Sequence, residues 1–282
     1  GVIQMRTLIT EELKKLEEEN LKRALTVIDG PQGPRVRING KEKILLCSND
    51  YLGLANHPRI KEAAIKAIEK YGGGAGASRL VSGTMEPHIL LEERIAAFKG
   101  TEAALVFNSG YHANIGVITA IARRTTDIFS DKLNHASILD ACVLSRANLT
   151  RYPNRDLFTL ESLLKKSNAK TKLIVTDGVF SMDGGVAPID GMIPLLDRYN
   201  AILYLDDAHA TGVLGAAGRG TLEHFNIKHQ AIIQMGTLGK ALGSFGAFVA
   251  GSKDLVDLLI SKSRPFIFTT ALPPAVCAAA TE

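Results

Sequence analysis

Cysteine is scarce in this sequence, and no two cysteines lie at a short spacing. Cys47, Cys142 and Cys277 are the only three in 282 residues, and none belongs to a Cys-x-x-Cys pair. This pattern favours neither a zinc site nor a small secreted protein stabilised by disulfide bonds. A reducing, cytoplasmic location is therefore the expectation.

Long apolar runs and strong charge are lacking as well. The longest apolar stretches, such as Ala271–Ala280, fall far short of the about 20 residues that a membrane helix needs, and no signal peptide pattern opens the chain. Lys and Arg number 33 against 29 Asp and Glu, a net charge of +4, and the basic residues form no stripe for a polyanion. We therefore expect neither a membrane nor a nucleic acid as a partner.

The composition that remains is that of an α/β protein with a large core. Hydrophobic residues make up 46% of the chain and charged residues 22%, which excludes disorder. Leucines spaced among charges over Glu11–Leu25 predict an amphipathic helix, and the apolar runs Val36–Ile38 and Ile44–Cys47 predict a small hairpin. We assign residues 1–48 to an N-terminal arm with this hairpin and residues 49–282 to one large domain.

Helices and strands alternate through the large domain. Near-continuous apolar strands such as Ala201–Leu205 are typical of a mainly parallel sheet sandwiched by helices. Ligands bind at the carboxyl ends of strands in such sheets, and polar residues cluster there in this sequence. The predicted helices are Pro58–Tyr71, Glu86–Phe98, Tyr111–Ala122, Ala136–Ser145 and Ile189–Tyr199, and the predicted strands are Ala103–Phe107, Asp127–Ser130, Lys172–Thr176, Ala201–Leu205, Ala231–Met235 and Ala247–Ala250.

Lys240 follows the predicted strand Ala231–Met235 within the small-residue stretch Gly236–Gly243. Small residues let a ligand approach the backbone, and partial burial lowers the pKa of a lysine and makes its amine nucleophilic toward an aldehyde. The segment alone fits a surface lysine in a glycine-rich loop equally well.

Asp206 comes directly after the strand Ala201–Leu205, so it is expected at the same edge of the sheet as Lys240. A carboxylate there can keep a pyridine nitrogen protonated, which turns the ring into an electron sink for a carbanion. The alternative is a metal-dependent hydrolase built on Asp206, Asp207 and His209. No second His or Glu at ligand spacing supports that metal site.

An anion site is predicted where the strand Ala103–Phe107 passes into the next helix. Ser109, Gly110 and Tyr111 open that helix, so its backbone N–H groups and dipole point at a bound phosphate. Thr237 would add a hydroxyl group to the same phosphate site. A Ser-Gly turn in this position is also common as a purely structural feature.

Two further polar residues follow strands. His135 opens the predicted helix Ala136–Ser145 and can stack on an aromatic ring or move protons, although an isolated histidine more often caps a helix. Ser181, after the strand Lys172–Thr176, can hydrogen-bond a phenolic oxygen. An ordinary glycine-rich turn is the alternative for Ser181.

Five segments, in this order and at this spacing, resemble the α-oxoamine synthase family of fold-type-I pyridoxal-phosphate enzymes. The resemblance covers nearly the whole chain. It implies that the cofactor is pyridoxal 5'-phosphate and that the fold is the large domain of this enzyme class. The segments are Asn49–Leu54, Asn134–Ser137, Asp177–Gly184, Asp206–His209 and Thr237–Lys240.

The resemblance also implies a role for each matching residue. Lys240 holds the cofactor as a Schiff base and shuttles protons, Asp206 contacts the ring nitrogen, and His135 stacks on the ring. Substrate contacts would come from Asn49, near the amino-acid carboxylate, and from Arg23, which stands where relatives keep an arginine for the acyl substrate. The remaining cofactor contacts would be His209 and Ser181 at the phenolic oxygen and the backbone at Ser109, Gly110 and Tyr111 with Thr237 at the phosphate.

Within the family, Asn108–Asn114 and Asp206–Gly212 look more like the branch that joins L-alanine to a pimeloyl thioester, carried on coenzyme A or an acyl carrier protein, in biotin synthesis. The branch that acetylates glycine and other α-oxoamine synthases are the alternatives. Family members work as homodimers, which places the loop Gly72–Gly83 near a partner's site. They also continue into a C-terminal domain that supplies an arginine for the amino-acid carboxylate, and we expect that domain to be absent from this chain.

A nucleotide-binding module without chemistry is a further alternative. It would explain the sheet and the turn at Ser109 and Gly110, but it leaves Lys240 and Asp206 without a role. Such a module also needs a G-x-G-x-x-G segment after its first strand, whereas Gly72–Gly76 follows a predicted helix.

Overall fold

The N-terminal unit, residues 1–46, begins with a single helix. In the computed structural model, which describes residues 1–282, helix α1 spans Val2–Glu18. Asn20 then has a left-handed backbone with φ of 57°, a conformation that asparagine adopts readily at the end of a helix. The predicted helix Glu11–Leu25 is therefore wrong at both ends, because α1 starts earlier and stops before the last two leucines.

A two-residue turn sets the register of the hairpin in this unit. Strands β1 (Arg35–Ile38) and β2 (Lys41–Ile44) pair antiparallel, and Asn39 and Gly40 between them both have positive φ, 51° and 73°. Asn-Gly favours this tight reversal. The predicted hairpin forms, but its second strand precedes the expected Ile44–Cys47, because the turn comes directly after β1.

The second unit, Cys47–Glu282, carries the alternating helices and strands. Its elements, in chain order, are α2 (Pro58–Tyr71), a π-helical turn (Arg79–Gly83), α3 (Glu86–Lys99), β3 (Ala103–Phe107), α4 (Gly110–Ile121), β4 (Thr126–Asp131), α5 (Ala136–Ser145), β5 (Asn148–Tyr152), α6 (Leu157–Lys166), β6 (Thr171–Asp177), α7 (Ile189–Tyr199), β7 (Ala201–Asp206), α8 (Thr221–His224), β8 (Ile232–Thr237), β9 (Ala247–Gly251), α9 (Lys253–Lys262), α10 (Arg264–Ile267) and α11 (Pro274–Thr281).

Seven of these strands form one sheet in the order β3-β9-β8-β7-β6-β4-β5. The pairs from β8 through β5 are all parallel, and β9 runs antiparallel to both of its neighbours, β3 and β8. The predicted mainly parallel sheet is confirmed. Because β6 and β7 are adjacent and parallel, the residues that follow them emerge side by side.

Helices cover both faces of the sheet. Leu203 and Leu205 of β7 pack with α6 and α7 on one face, whereas Tyr204 packs with α4 and α5 on the other. Alternate residues of a strand point to opposite faces, so a strand buried on both sides has to be apolar throughout. None of the helices has the length and apolarity needed to cross a membrane.

Several helices and one strand were not predicted from the sequence. Strand β5 and helix α6 were not predicted, and neither were α9, α10 and α11 near the end of the chain. Strand β5 lies at the edge of the sheet and has mostly exposed or half-buried residues, Asn148–Leu149–Thr150–Arg151. An edge strand of this kind has no continuous apolar run, which is the signal that identified the central strands.

Candidate active site

Two carboxyl groups lie side by side at the carboxyl ends of β6 and β7. Asp177 and Asp206 are partners in the strand register, and their exposed fractions are only 4% and 3%. Burial raises the pKa of both groups, and the neighbouring charge of Asp206 adds to the effect on Asp177, whose pKa rises to about 9. At neutral pH the pair therefore retains a proton.

Asp206 is held by two donors from the chain. The Nδ2 group of Asn114 donates to its Oδ2 at 2.9 Å, and the backbone N–H of Ala208 donates to its Oδ1 at 3.1 Å. Both bonds favour the ionised form and oppose the effect of burial on the pKa, as do the charges of Lys240 and His135. Asp206 is thus arranged to accept a further hydrogen bond from a cationic group.

Lys240 lies in the loop between β8 and β9, close enough to the two carboxyl groups for their charges to act on it. Burial lowers the pKa of its amine, and the charges of Asp206 and Asp177 act in the opposite direction. Two backbone bonds brace the loop, from Leu238 N–H to the carbonyl of Gly246 at 2.9 Å and from Ser244 N–H to the carbonyl of Leu238 at 2.8 Å. The structure therefore brings Lys240 and Asp206 into one site.

A small cup forms where α4 begins. The Oγ of Ser109 accepts from the N–H of His112 at 3.2 Å, while the N–H groups of Gly110 and Tyr111, in the first turn, have no acceptor within the helix. A Cβ added to Gly110 would lie only 3.0 Å from Cγ2 of Thr237. Gly110 and Thr237 thus face each other across a narrow space, beside free donors suited to an anion.

His135 caps α5 and is hydrogen-bonded to one of the two buried carboxyl groups. Its backbone N–H donates to Oδ2 of Asp177 at 2.9 Å, and its Nδ1 lies 2.7 Å from Oγ of Ser137. The N–H of Ser137 also donates to Nδ1, at 3.2 Å. The residue is exposed, so its ring is fixed on one edge and open to a ligand.

His209 is the neutral histidine of the site. Burial, followed by the charges of Lys240 and His135, lowers its pKa to about 4. Its Nδ1 lies 2.7 Å from the hydroxyl of Tyr51, and that hydroxyl donates its proton to Oδ1 of Asn49 at 3.3 Å. His209 therefore works as a hydrogen-bonding group, not as a cation, at neutral pH.

Two predicted site residues lie in exposed segments outside the helices and strands. Ser181 is exposed in a turn after β6, and no hydrogen bond joins it to Lys240, Asp206 or His135. Arg23 is exposed in the N-terminal unit, between α1 and β1. The roles of Ser181, Arg23 and Asn49 stay predictions.

The residues of the rival metal site do not converge. Asp207 pairs with Lys99, with 3.3 Å between Oδ2 and Nζ, and accepts from the N–H of Thr221 at 2.9 Å. Its neighbour Asp206 faces Asn114, and no group of three metal-ligating side chains forms anywhere in the chain. The nucleotide-binding alternative needs a glycine-rich loop directly after a strand. Gly72 instead follows helix α2, so the geometry of a dinucleotide-binding loop is missing.

Three contact residues were missed in the sequence. Asn114, Asp177 and Tyr51 all belong to segments that the pattern singled out, but no role was assigned to them. One signal was present: Asn114 is a polar residue among Ala113, Val117 and other apolar positions of α4. A buried polar side chain in an apolar helix needs a hydrogen-bonding partner.

Residues 41–282 match the family described as "Aminotransferase class I and II". Among curated proteins, the 8-amino-7-oxononanoate synthase of Geobacter sulfurreducens is 59% identical over 273 residues, which is 96% of this chain and 70% of that protein. The protein of the same name from Thermoanaerobacter pseudethanolicus is 52% identical over 276 residues, 97% of this chain and 70% of that protein.

Solved structures share the fold. A serine palmitoyltransferase from S. paucimobilis with a bound PLP–myriocin aldimine superposes with a TM-score of 0.91 at 32% identity, covering 100% of this chain and 71% of that one. An 8-amino-7-oxononanoate synthase from Francisella tularensis gives a TM-score of 0.72 at 34% identity, covering 83% and 66%. The first likeness covers the whole chain, and the sheet with its helix layers is therefore that of a fold-type-I transferase.

Proposed function

Because the chain belongs to the class I and II aminotransferase family, we propose that it condenses L-alanine with a pimeloyl thioester to give 8-amino-7-oxononanoate in biotin synthesis. It is a pyridoxal-phosphate-dependent transferase. The choice of substrates is supported by relatives of that name at 52% to 59% identity. The observation that carries the proposal is the convergence of Lys240 and Asp206 at one edge of the sheet.

The residues of the site fit the cofactor in three places. Asp206 has acceptor capacity left for a ring N–H, and Lys240 is a half-buried amine with a lowered pKa. The space between Gly110 and Thr237, which one added carbon would fill, lies beside free N–H groups suited to a phosphate. Lys240 would hold the cofactor covalently, and the other groups would hold its ring and its phosphate.

When bound, pyridoxal phosphate supplies an electron sink that stabilises negative charge on the α carbon of the amino acid. The residues of the chain supply proton transfer and placement. Lys240 Nζ, neutral more readily than an exposed lysine because burial lowers its pKa, takes the α proton of alanine. Asp206 keeps a proton on the ring nitrogen by accepting a charge-assisted hydrogen bond from it.

The reaction forms one carbon–carbon bond and breaks one carbon–sulfur bond and one carbon–carbon bond. The α carbon of alanine bonds to the thioester carbonyl carbon, the carrier thiol leaves with a proton, and the alanine carboxylate leaves as carbon dioxide. In the proposed reaction His135 donates from Nε2 to the thioester carbonyl oxygen, a role supported by its Nδ1 accepting from the backbone N–H of Ser137. Lys240 returns a proton to the carbon that loses the carboxylate.

The substrates are tested by a matrix assay of the protein loaded with cofactor. Alanine and glycine are each combined with pimeloyl, acetyl and succinyl thioesters, with coenzyme A or acyl carrier protein as the carrier, and the ketone product is identified by mass. Alanine with a pimeloyl thioester should give the highest kcat/KM. A higher kcat/KM with glycine and acetyl thioester would contradict the proposed substrates and favour a glycine C-acetyltransferase.

A homodimer belongs to the same proposal. The loop Gly72–Gly83 carries the apolar side chains of Leu80 and Val81, which are 51% and 81% exposed. Burying such side chains against a second copy would remove apolar surface from water. Light scattering of the purified protein should give twice the chain mass, and Val81→Asp should shift the mass toward that of one chain.

A further inference from the structure

A buried amide connects two of the site residues behind the carboxyl ends of the strands. Asn114 of α4 is only 1% exposed and lies in the apolar core beside Val117. Its Nδ2 donates to Oδ2 of Asp206 at 2.9 Å and to Oγ of Ser137 at 2.8 Å, and its Oδ1 accepts from the hydroxyl of Tyr204 at 2.7 Å. An amide at such a depth is costly unless it is hydrogen-bonded in this way.

The partners of Asn114 determine which way its amide points. An ionised Asp206 can only accept, so it requires the NH₂ group of Asn114 on its side. The fully buried Tyr204 offers its hydroxyl proton to the carbonyl side of the amide. A reversed amide would place an oxygen against the carboxylate, and Tyr204 opposes that reversal.

A second branch runs from Asn114 to His135. The hydroxyl of Ser137 accepts from Asn114 and lies 2.7 Å from Nδ1 of His135, to which its proton can be donated. The backbone N–H of Ser137, which can only donate, also points at Nδ1. Nδ1 is therefore an acceptor, and the proton of a neutral His135 sits on Nε2.

We propose that Asn114 is a positioning residue that keeps Asp206 as a hydrogen-bond acceptor for the ring nitrogen of the cofactor and, through Ser137, sets the tautomer of His135. Tyr204 serves this arrangement by fixing the direction of the amide. The inference rests on the proposed function, because it takes the ring nitrogen as the partner of Asp206.

The electrostatics of Asp206 agree with this geometry. Burial raises the pKa of the carboxyl group, and the hydrogen bond from Asn114 is the foremost of the interactions that lower it. Loss of that bond favours the protonated carboxyl, which has no charge with which to hold a cationic ring nitrogen. A purely structural asparagine would affect every ligand of the site alike.

The test compares two ligands of the protein prepared without cofactor: pyridoxal phosphate, and its analogue with carbon in place of the ring nitrogen. Equilibrium dialysis gives the ratio of their two Kd values for the wild type, Asn114→Leu and Tyr204→Phe. Asn114→Leu should reduce the preference for pyridoxal phosphate by about tenfold or more, the range expected for a bond to a charged group. Tyr204→Phe should reduce it less, in the same direction, and Tyr199→Phe, whose hydroxyl contacts Glu161, should leave it unchanged.

Ser137→Ala separates the two branches. It should keep the ligand preference near that of the wild type while ¹⁵N NMR shows a smaller fraction of the Nε2–H form at His135, because only the longer bond from the backbone N–H then remains at Nδ1. An unchanged tautomer balance overturns the role of Ser137. Equal weakening of both ligands by Asn114→Leu overturns the inference, and if that variant does not fold, an unchanged preference in Tyr204→Phe overturns it. Asp206→Asn is the reference variant. If Asp206→Asn also leaves the preference for pyridoxal phosphate unchanged, the proposed function is contradicted as well. If only Asp206→Asn reduces that preference, the role of Asn114 alone is overturned.

Discussion

Asp177 and Asp206 stand opposite each other in the register of two parallel strands, buried and with no cation hydrogen-bonded between them. Burial makes ionisation of both carboxyl groups more costly, and the charge of Asp206 adds to that cost for Asp177. Asp177 accepts one backbone N–H, from His135, whereas Asp206 receives two donors. Asp177 is therefore the carboxyl group that binds a proton more readily, and Asp206 is the one whose ionised form the surrounding donors support better.

Asp177→Asn should flatten the dependence of stability on pH. The folded pKa of Asp177 is raised to about 9, so between the ordinary pKa of an aspartate and that value the folded protein binds more protons than the unfolded chain. Stability of the wild type without cofactor is therefore expected to fall as pH rises through this window, by at most about 1.4 kcal/mol per pH unit for one proton. Urea unfolding at pH 5 and pH 8 measures the slope. An equally steep slope in Asp177→Asn, with the exposed Asp190→Asn as control, would contradict the assignment.

Lys240→Ala should abolish the covalent attachment of pyridoxal phosphate. Lys240 is the half-buried lysine on whose amine the charges of Asp206 and Asp177 act, and partial burial lowers its pKa. Borohydride treatment of the loaded wild type should fix the cofactor mass on the peptide that contains residue 240, and the visible absorbance should disappear in the variant. The exposed Lys228→Ala is the matched control. Label retained by Lys240→Ala would falsify the assignment.

Gly110→Ala should weaken binding of the phosphate group in particular. The added Cβ would lie 3.0 Å from Cγ2 of Thr237 and would narrow the cup at the start of α4. We expect a Kd for pyridoxal phosphate raised by about tenfold, equivalent to about 1.4 kcal/mol, with little change for pyridoxal, which lacks the phosphate. Gly73→Ala, where an added Cβ meets nothing within 4 Å, is the control. An equal loss for both ligands would show that the cup does not bind the phosphate.

Lys99→Met should destabilise the protein strongly, and Asp207→Asn should rescue part of the loss. The side chains of Lys99 and Asp207 form an ion pair with 0% exposure on both sides. Removing one partner of a buried pair leaves an uncompensated charge and costs about 3–5 kcal/mol. Chemical unfolding of both single variants and the double variant gives the coupling between them. The control is Lys253→Met, which breaks the exposed ion pair with Asp257 and should change the free energy of unfolding little. A similarly small effect of Lys99→Met would rule out the buried ion pair as a stabilising contact.

Much of the site could be predicted because its residues follow strands directly. Asp206, Lys240 and Gly110 each lie at or just after the carboxyl end of an apolar strand, and strands that run in the same direction end at one edge of a sheet. The placement of these residues needs only local patterns and one general rule of topology. The strands concerned, β7, β8 and β3, were all predicted within two residues of their bounds.

The rest depends on contacts between distant segments. The proton held by Asp177 follows from the register of β6 against β7, and the role of Asn114 follows from the packing of α4 against α5 and β7. Neither relation leaves a pattern in one stretch of sequence. The end of α1 has a different cause, because asparagine at position 20 is compatible with several backbone conformations and its left-handed form emerges only in the folded chain.

The reversed direction of β9 has a mechanical consequence for the reactive amine. Antiparallel neighbours can be joined by a short loop, whereas parallel ones need a long crossover, so Lys240 is carried by a hairpin whose two legs are bonded to each other inside the sheet. Amide hydrogens at Leu238 and Ser244 should accordingly exchange as slowly as those of the strands. Moving the amine of Lys240 would require a shift of both paired strands. We therefore expect insertions in this loop to be poorly tolerated, and the loop to hold any residue introduced at this position in a fixed place.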